Sequence, residues 1–299
     1  MTLTALVGAI ELGVLYALLA SGLFVSFRVL NVADLTVEGS FTLGAACSAV
    51  LTLAGHPVLG ILAALFAGSL AGLLTAILHT KLKIIPILAG ILTMTALYSI
   101  NLRIMDKKGN VSLLGSTTIF TAFSEFLGGF QYAELLLGVL ILGASVALLT
   151  VFFHTQLGLS IRATGDNADM VRSSSINTNF TQSVGLAVAN ALVALSGALV
   201  AQYQMFADIG MGIGMVVIGL ASLIIGEVLI GTKSILRHLI AVCAGAVLYR
   251  IIIALVLQAN VAQSDLKIIS AVLVAAALSF PAIRANRLKF RLRKENRRA

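Results

Sequence analysis

Ser21-Gly22-Leu23-Phe24-Val25, followed by Ala33-Asp34-Leu35, has a counterpart in the second half of the chain. There Ser196-Gly197-Ala198-Leu199-Val200 is followed by Ala207-Asp208-Ile209. The spacing from serine to aspartate is 13 residues in the first copy and 12 in the second. Each copy closes an apolar run and enters a glycine-interrupted segment, Glu38-Gly39-Ser40 in one and Gly210 through Gly214 in the other. Short or broken helices at matching positions of two halves are the sequence pointer to a path through a membrane protein built from opposed repeats. The reading holds only if the rest of the chain is a membrane domain and the two copies run in opposite directions.

Composition meets the first condition. Of 299 residues, 59% are hydrophobic and only 11% charged, with a mean hydropathy of +1.06. A soluble domain carries about 25% charged residues and 45–50% apolar ones. An ordinary soluble enzyme, a disordered chain and a nucleic-acid binder are therefore excluded. A helix needs about 20 apolar residues to cross the hydrocarbon core, and nine runs qualify: 3–27, 36–54, 58–78, 84–102, 133–153, 183–203, 213–230, 239–257 and 268–283. The expected fold is all-α and polytopic. A tenth, re-entrant segment is possible around 116–130, where Ile119, Phe120 and Phe123 alternate with polar residues. The first run lacks a basic leader and is too long for a cleavable signal peptide.

Lysine and arginine set the orientation. Arg28, Lys81, Lys83, Arg162, Arg172, Lys233, Arg237 and eight basic residues of the tail fall on one side. Arg103, Lys107, Lys108 and Lys267 fall on the other. Nine spans with the N-terminus outside and the C-terminus in the cytoplasm satisfy this split. Asp34 then faces the cytoplasm and Asp208 the outside, so the copies are inverted. Residues 1–283 form one membrane domain and 284–299 a basic cytoplasmic tail. The net charge of +8 lies almost wholly in that tail, where anionic lipid attracts it.

Candidate path-lining or gating residues are Asp34, Glu38, Gly39, Ser40, Asn190, Asp208, Gly210, Gly212 and Gly214. Ionisable residues inside spans are costly and functional by default. Glu11 and Arg250 sit at matching depth and are expected to form an intramembrane ion pair; Glu227, near an inner end, is expected to snorkel. Cys47 and Cys243 lie in apolar runs, and the four histidines stand apart with no metal-ligand spacing. The inner loop, about 154–182, is polar. Within it Thr164 or Asp166 can cap a short helix starting near Asn167, with Ala168, Met170 and Val171 as an apolar patch. A short capped helix between spans is a rigid knob suited to a groove on a soluble partner.

Four stretches together resemble the membrane permease subunits of bacterial ABC importers of the branched-chain amino acid and ribose type, most of all the tryptophan/tyrosine transport subgroup. They are Gly13-Val14-Leu15-Tyr16-Ala17-Leu18; Asp34-Leu35-Thr36-Val37-Glu38-Gly39-Ser40-Phe41; Arg162-Ala163-Thr164-Gly165-Asp166-Asn167; and Phe206-Ala207-Asp208-Ile209-Gly210-Met211-Gly212 with Gly226-Glu227. The resemblance implies a type II importer-like fold in the inner membrane and two permease copies with the path between them. It also implies an extracellular or periplasmic substrate-binding protein. Residues Arg162 to Asn167, with Ala168 and Met170, would seat on ABC ATPase subunits. A glycine is expected before Ile176-Asn177, where this chain has Ser173-Ser174-Ser175.

The chain has no Gly-x-x-x-x-Gly-Lys-[Ser/Thr] phosphate loop, so ATP and its Mg belong to the partner ATPase and no cofactor is expected in this chain. The sequence reads as the permease subunit of an ATP-driven importer of a small organic solute, an amino acid by family. The rival is an ion-coupled secondary transporter, which needs mid-depth carboxylates where the sequence offers only Glu11. An intramembrane enzyme lacks any catalytic cluster.

Overall fold

The structure, a computed structural model, describes residues 3–258 and five helical positions between 268 and 279. Apart from those five positions the ninth apolar run, 268–283, lies outside the described residues, as does the basic tail. Helix α1 (Leu3–Leu23) continues as a π-helical turn over Phe24–Val29. It is followed by α2 (Thr36–Leu53), α3 (Pro57–Thr80) and α4 (Pro86–Ile104). A short strand β1 (Asn110–Ser112), helix α5 (Ile119–Phe126) and helix α6 (Ala133–His154) come next. Helices α7 (Gln156–Asp166) and α8 (Ala168–Ser173) precede the 27-residue α9 (Thr178–Gln204). Strand β2 (Phe206–Asp208), α10 (Met215–Ile230) and α11 (Ile235–Gln258) follow as the last continuous elements among the described residues.

Seven of these helices are long and apolar enough to cross a membrane; α10, at 16 residues, is shorter. Eight of the nine expected runs thus coincide with helices. Proline opens α3 and α4 at the first helical position, where its missing N–H costs nothing. The segment around 116–130 holds the eight-residue α5, too short to cross a membrane by itself, closed at its start by a reciprocal Thr118–Thr121 capping box. The fold is also not purely helical. Strands β1 and β2 pair antiparallel, with Val111 opposite Ala207.

Helix α9 is the most enclosed of the long helices and α6 the least, with α1 and α2 packed beside α9. Small residues let these backbones approach. A side chain at Gly44, Gly68 or Gly72 would overlap α9 backbone or Ala194, and one at Gly226 would overlap the Ala241 carbonyl between α10 and α11. Large apolar side chains on α3, α4 and α6, such as Phe66, Ile87 and Leu148, are exposed. A lipid-facing surface needs that; a soluble one would not tolerate it.

Connections fall at two ends of the bundle. One end holds residues 30–35, 81–85, 155–177 and 231–234; the other holds 54–56, 105–132 and 205–214. These two ends position the candidate sites.

Candidate functional site

Two breaks carry the polar chemistry. The first follows the π-helical turn of α1. There Val32 N–H donates to the Ser26 carbonyl (2.9 Å) and Leu30 N–H to the Val25 carbonyl (3.0 Å), so the unwinding chain keeps its backbone bonds. Asp34 then turns the chain into α2 by accepting Thr36 N–H on Oδ1 (2.9 Å). Its other oxygen, Oδ2, accepts Asn190 Nδ2–H from α9 (2.7 Å). The Asn190 carbonyl oxygen accepts the Ser40 hydroxyl of α2 (2.7 Å), and its amide also donates to the Leu186 carbonyl (3.1 Å). Asp34, Ser40 and Asn190 are fully buried. Next to them, Thr36, Thr75 and Thr93 link α2, α3 and α4 through hydroxyl bonds of 2.6 and 2.9 Å. Asn190 lies about 18 Å along α9, so this knot sits deep in the bundle. Asp34, Ser40 and Asn190 thus close three segments, the 30–35 break, α2 and α9, on one another.

The second break follows α9. Met205 takes a left-handed φ of 60°, and Asp208 Oδ1 accepts Gly210 N–H (2.8 Å). This is the same residue-to-residue-plus-two turn that Asp34 makes, so the two copies of the sequence motif share local geometry. The turn delivers the N-terminus of α10 to α2. Gly212 N–H donates to Thr42 Oγ1 (3.1 Å) and Gly214 N–H to Glu38 Oε1 (3.0 Å). A side chain at Gly212 would overlap the Glu38 carbonyl. Gly214, at φ 87°, needs glycine for its left-handed backbone. Beside this junction opens a cleft of about 280 Å3 lined by Glu38, Gly39, Thr42, Met94, Tyr98, Asn101, Gly212 and Ile213 among others. Asn101 Nδ2 donates to the Gly39 carbonyl (3.2 Å), while its Oδ1 is buried without a partner among the described residues. Of the candidate path residues, Glu38, Gly39 and Gly212 thus share one cleft. Tyr98 and Asn101 were not singled out from sequence, because nothing marks them within an apolar run.

The structure does not join Glu11 to Arg250. Glu11 Oε2 accepts the Tyr203 hydroxyl (2.7 Å), and the Arg250 guanidinium lies over the Tyr16 ring, 3.9 Å from its centroid. Arg250 Nε is buried with no hydrogen-bond partner among the described residues. Glu227 is not a lone carboxylate. It accepts Arg28 on both oxygens and contacts His238 Nε2 (2.7 Å), tying α1, α10 and α11 together.

The inner loop is also not a loop. Its first part is α7, capped by Thr155, whose side chain accepts Gly158 N–H (3.2 Å). Asn167, rather than Thr164 or Asp166, caps α8 by accepting Asp169 and Met170 N–H at 3.1 and 3.0 Å. Thr164 is buried and bonds Thr181 of α9 (2.8 Å). Gly165 packs so closely that a Cβ would overlap the Val29 carbonyl. Arg162, Asp166, Asn167 and Met170 are exposed and Ala163 and Ala168 half-buried. The motif therefore has an inner face gripping the first break and an outer face open to a partner. Ser175 takes φ 62°, the left-handed conformation for which the expected glycine is suited.

A bundle of membrane-length helices with polar breaks and an outward-facing capped helix defines a polytopic transport protein. The chain belongs to the family of permease components of branched-chain amino acid transport systems, whose model matches residues 5–278. It is 34% identical over 278 residues to a tyrosine transport system permease protein of Clostridioides difficile, covering 93% of this chain and 91% of that one. An uncharacterised protein of Rickettsia prowazekii is 30% identical over 92% of this chain and 96% of its own length. The galactofuranose transporter permease protein of Escherichia coli is 29% identical over 62% of this chain and 52% of its own. No solved structure matches.

Proposed function

We propose that this chain is the membrane permease subunit of an ATP-driven importer of an amino acid, aromatic or branched-chain in class. Family membership and the relative named for tyrosine transport support the solute class. The observation that carries the mechanism is the two-faced α7–α8 element. Its inner face, Gly165 against Val29 and Thr164 against Thr181, grips the segment that leads into the Asp34 break.

In this reading the chain crosses a bacterial inner membrane nine times, N-terminus out. The end holding α7, α8 and the 81–85 turn is cytoplasmic. Separate ABC ATPase subunits bind ATP and Mg, and their closure moves α8 through Asp166, Asn167 and Met170. A second copy of the permease completes the path, and a substrate-binding protein delivers solute at the β1–β2 end. Movement of α7 shifts Val29 and the 30–35 break against α9, and the inverted second break at Asp208–Gly214 opens or closes the Glu38 cleft in response. Charge reversal at Arg162 or Asp166 is the test. ATP hydrolysis should then proceed without uptake while the binding protein still docks. Normal coupling in both variants refutes the assignment of this element.

A further inference from the structure

A groove of about 750 Å3 lies between the end of α3, the turn into α4 and the α8–α9 connection. His79, Thr80, Lys83, Arg172, Ser175 and Asn177 line it, and no carboxylate does. Two permanent cations face a set of hydroxyl and amide donors, so the groove suits an anion. Arg172 is anchored by its Nε–H bond to Thr178 Oγ1 (2.8 Å) and also pairs through Nη1 with the exposed Asp169 carboxylate (3.6 Å), which stands outside the groove lining. The turn bearing Lys83 is held by the bond between His79 Nδ1 and the Ile84 carbonyl (2.9 Å). Lys83 and Ser175 are both non-glycine residues in the left-handed region, at φ 55° and 62°. Such strain persists only where surrounding structure enforces it, and it gathers at functional sites.

Position decides what kind of anion. The membrane-length segments end at Thr80 and begin at Pro86 and Thr178, so the groove lies at the rim of the apolar bundle, at headgroup level. Beside it Leu82, Ile85 and Phe180 are 63%, 68% and 54% exposed. A soluble anion would have no use for these side chains; an anion carrying acyl chains would. Basic pockets between helices on the cytoplasmic side are known to take anionic headgroups.

We propose that this groove binds the phosphodiester headgroup of an anionic phospholipid, with Lys83 and Arg172 pairing the phosphate and Leu82, Ile85 and Phe180 lying along the acyl chains. The site rests on the cytoplasmic orientation given above. A lipid seated there braces the α3–α4 turn against the connection that follows α8, and so links the position of the docking helix to the composition of the inner leaflet.

The experiment uses the full transporter assembly, purified in detergent. Mass spectrometry of the intact assembly measures retention of phosphatidylglycerol against phosphatidylcholine. The wild type should retain phosphatidylglycerol selectively. Lys83→Glu should lower that retention about tenfold or more, and Lys81→Glu, an exposed charge on the same turn but outside the groove, should leave it unchanged. Millimolar inorganic phosphate should fail to displace the lipid; displacement would make the ligand a soluble anion and overturn the acyl-chain part. Equal retention in wild type and Lys83→Glu overturns the site. So does loss of the ATPase subunits from Lys83→Glu with lipid retention intact, since the groove would then belong to that partner. Reaction of the Lys83→Cys variant, above the level of the wild type with its two cysteines, with an impermeant thiol reagent outside intact cells would instead overturn the orientation itself.

Discussion

Asn190→Ala is the substitution whose cost the fold fixes most narrowly. It removes three hydrogen bonds: Nδ2 to Asp34 and to the Leu186 carbonyl, and Oδ1 from Ser40. It leaves one carboxylate oxygen and one hydroxyl buried with no replacement, since both residues are fully enclosed. A single hydrogen bond between membrane helices averages only about 0.6 kcal/mol and reaches about 1.7. A stranded buried group, however, loses its full desolvation cost, about 1–3 kcal/mol and more when charged. With two such groups stranded, the expected destabilisation is about 3–4 kcal/mol, read by reversible unfolding in mixed micelles. Asp34→Ala combined with Asn190→Ala should cost at least about 1 kcal/mol less than the sum of the two single changes, because the second removes a group already stranded. A loss below about 1 kcal/mol for Asn190→Ala, or strict additivity, refutes the knot as the structural centre of the first break.

Gly165→Ala should be tolerated poorly, because its methyl overlaps the Val29 carbonyl; overpacking of this kind costs about 1–3 kcal/mol. Uptake per ATP hydrolysed should fall more than expression does. Ser175→Gly relieves a left-handed serine and should raise the thermal midpoint, by up to about 1 kcal/mol of stability. A midpoint that falls would mean the serine side chain holds the turn. In a double-mutant cycle, Glu11→Gln and Arg250→Met should couple by less than about 0.5 kcal/mol, while Glu11→Gln and Tyr203→Phe should couple measurably, since only the latter pair is in contact.

The spans were legible in the sequence because twenty consecutive apolar residues have few other uses. The two breaks were legible because Ala-Asp followed by glycine-interrupted sequence recurs, and both aspartates do make the same turn. Depth alone misled at Glu11 and Arg250. Matching distance from a membrane face says nothing of rotation about the helix axis, and that rotation sends one side chain to Tyr203 and the other to Tyr16. Helix α7 was hidden by its polarity, since Gln156–Asp166 has no apolar stripe of spanning length and carries two glycines. Its N-cap Thr155 and the Asn167 cap of α8 were the readable signals. The β1–β2 pairing joins residues nearly a hundred positions apart, with three-residue strands too short to show alternation. Asn101 and Tyr98 enter the cleft only because the Asp208–Gly214 turn brings α10 against α2, a long-range event with no local signature. Ser175 is the converse case: the family resemblance implies a glycine before Ile176, and the serine that stands there takes a left-handed backbone.

The central claim is that ATP bound by a partner drives this permease. Uptake of radiolabelled amino acids of the proposed class, aromatic and branched-chain, should be measured in proteoliposomes holding the permease, its ATPase subunits and binding protein. With ATP trapped at the α7–α8 side, uptake should proceed undiminished after ionophores collapse all ion gradients, and should stop when ATP is withheld. Uptake that survives without ATP but fails on collapse of a proton or sodium gradient would contradict the account and return the chain to the ion-coupled class.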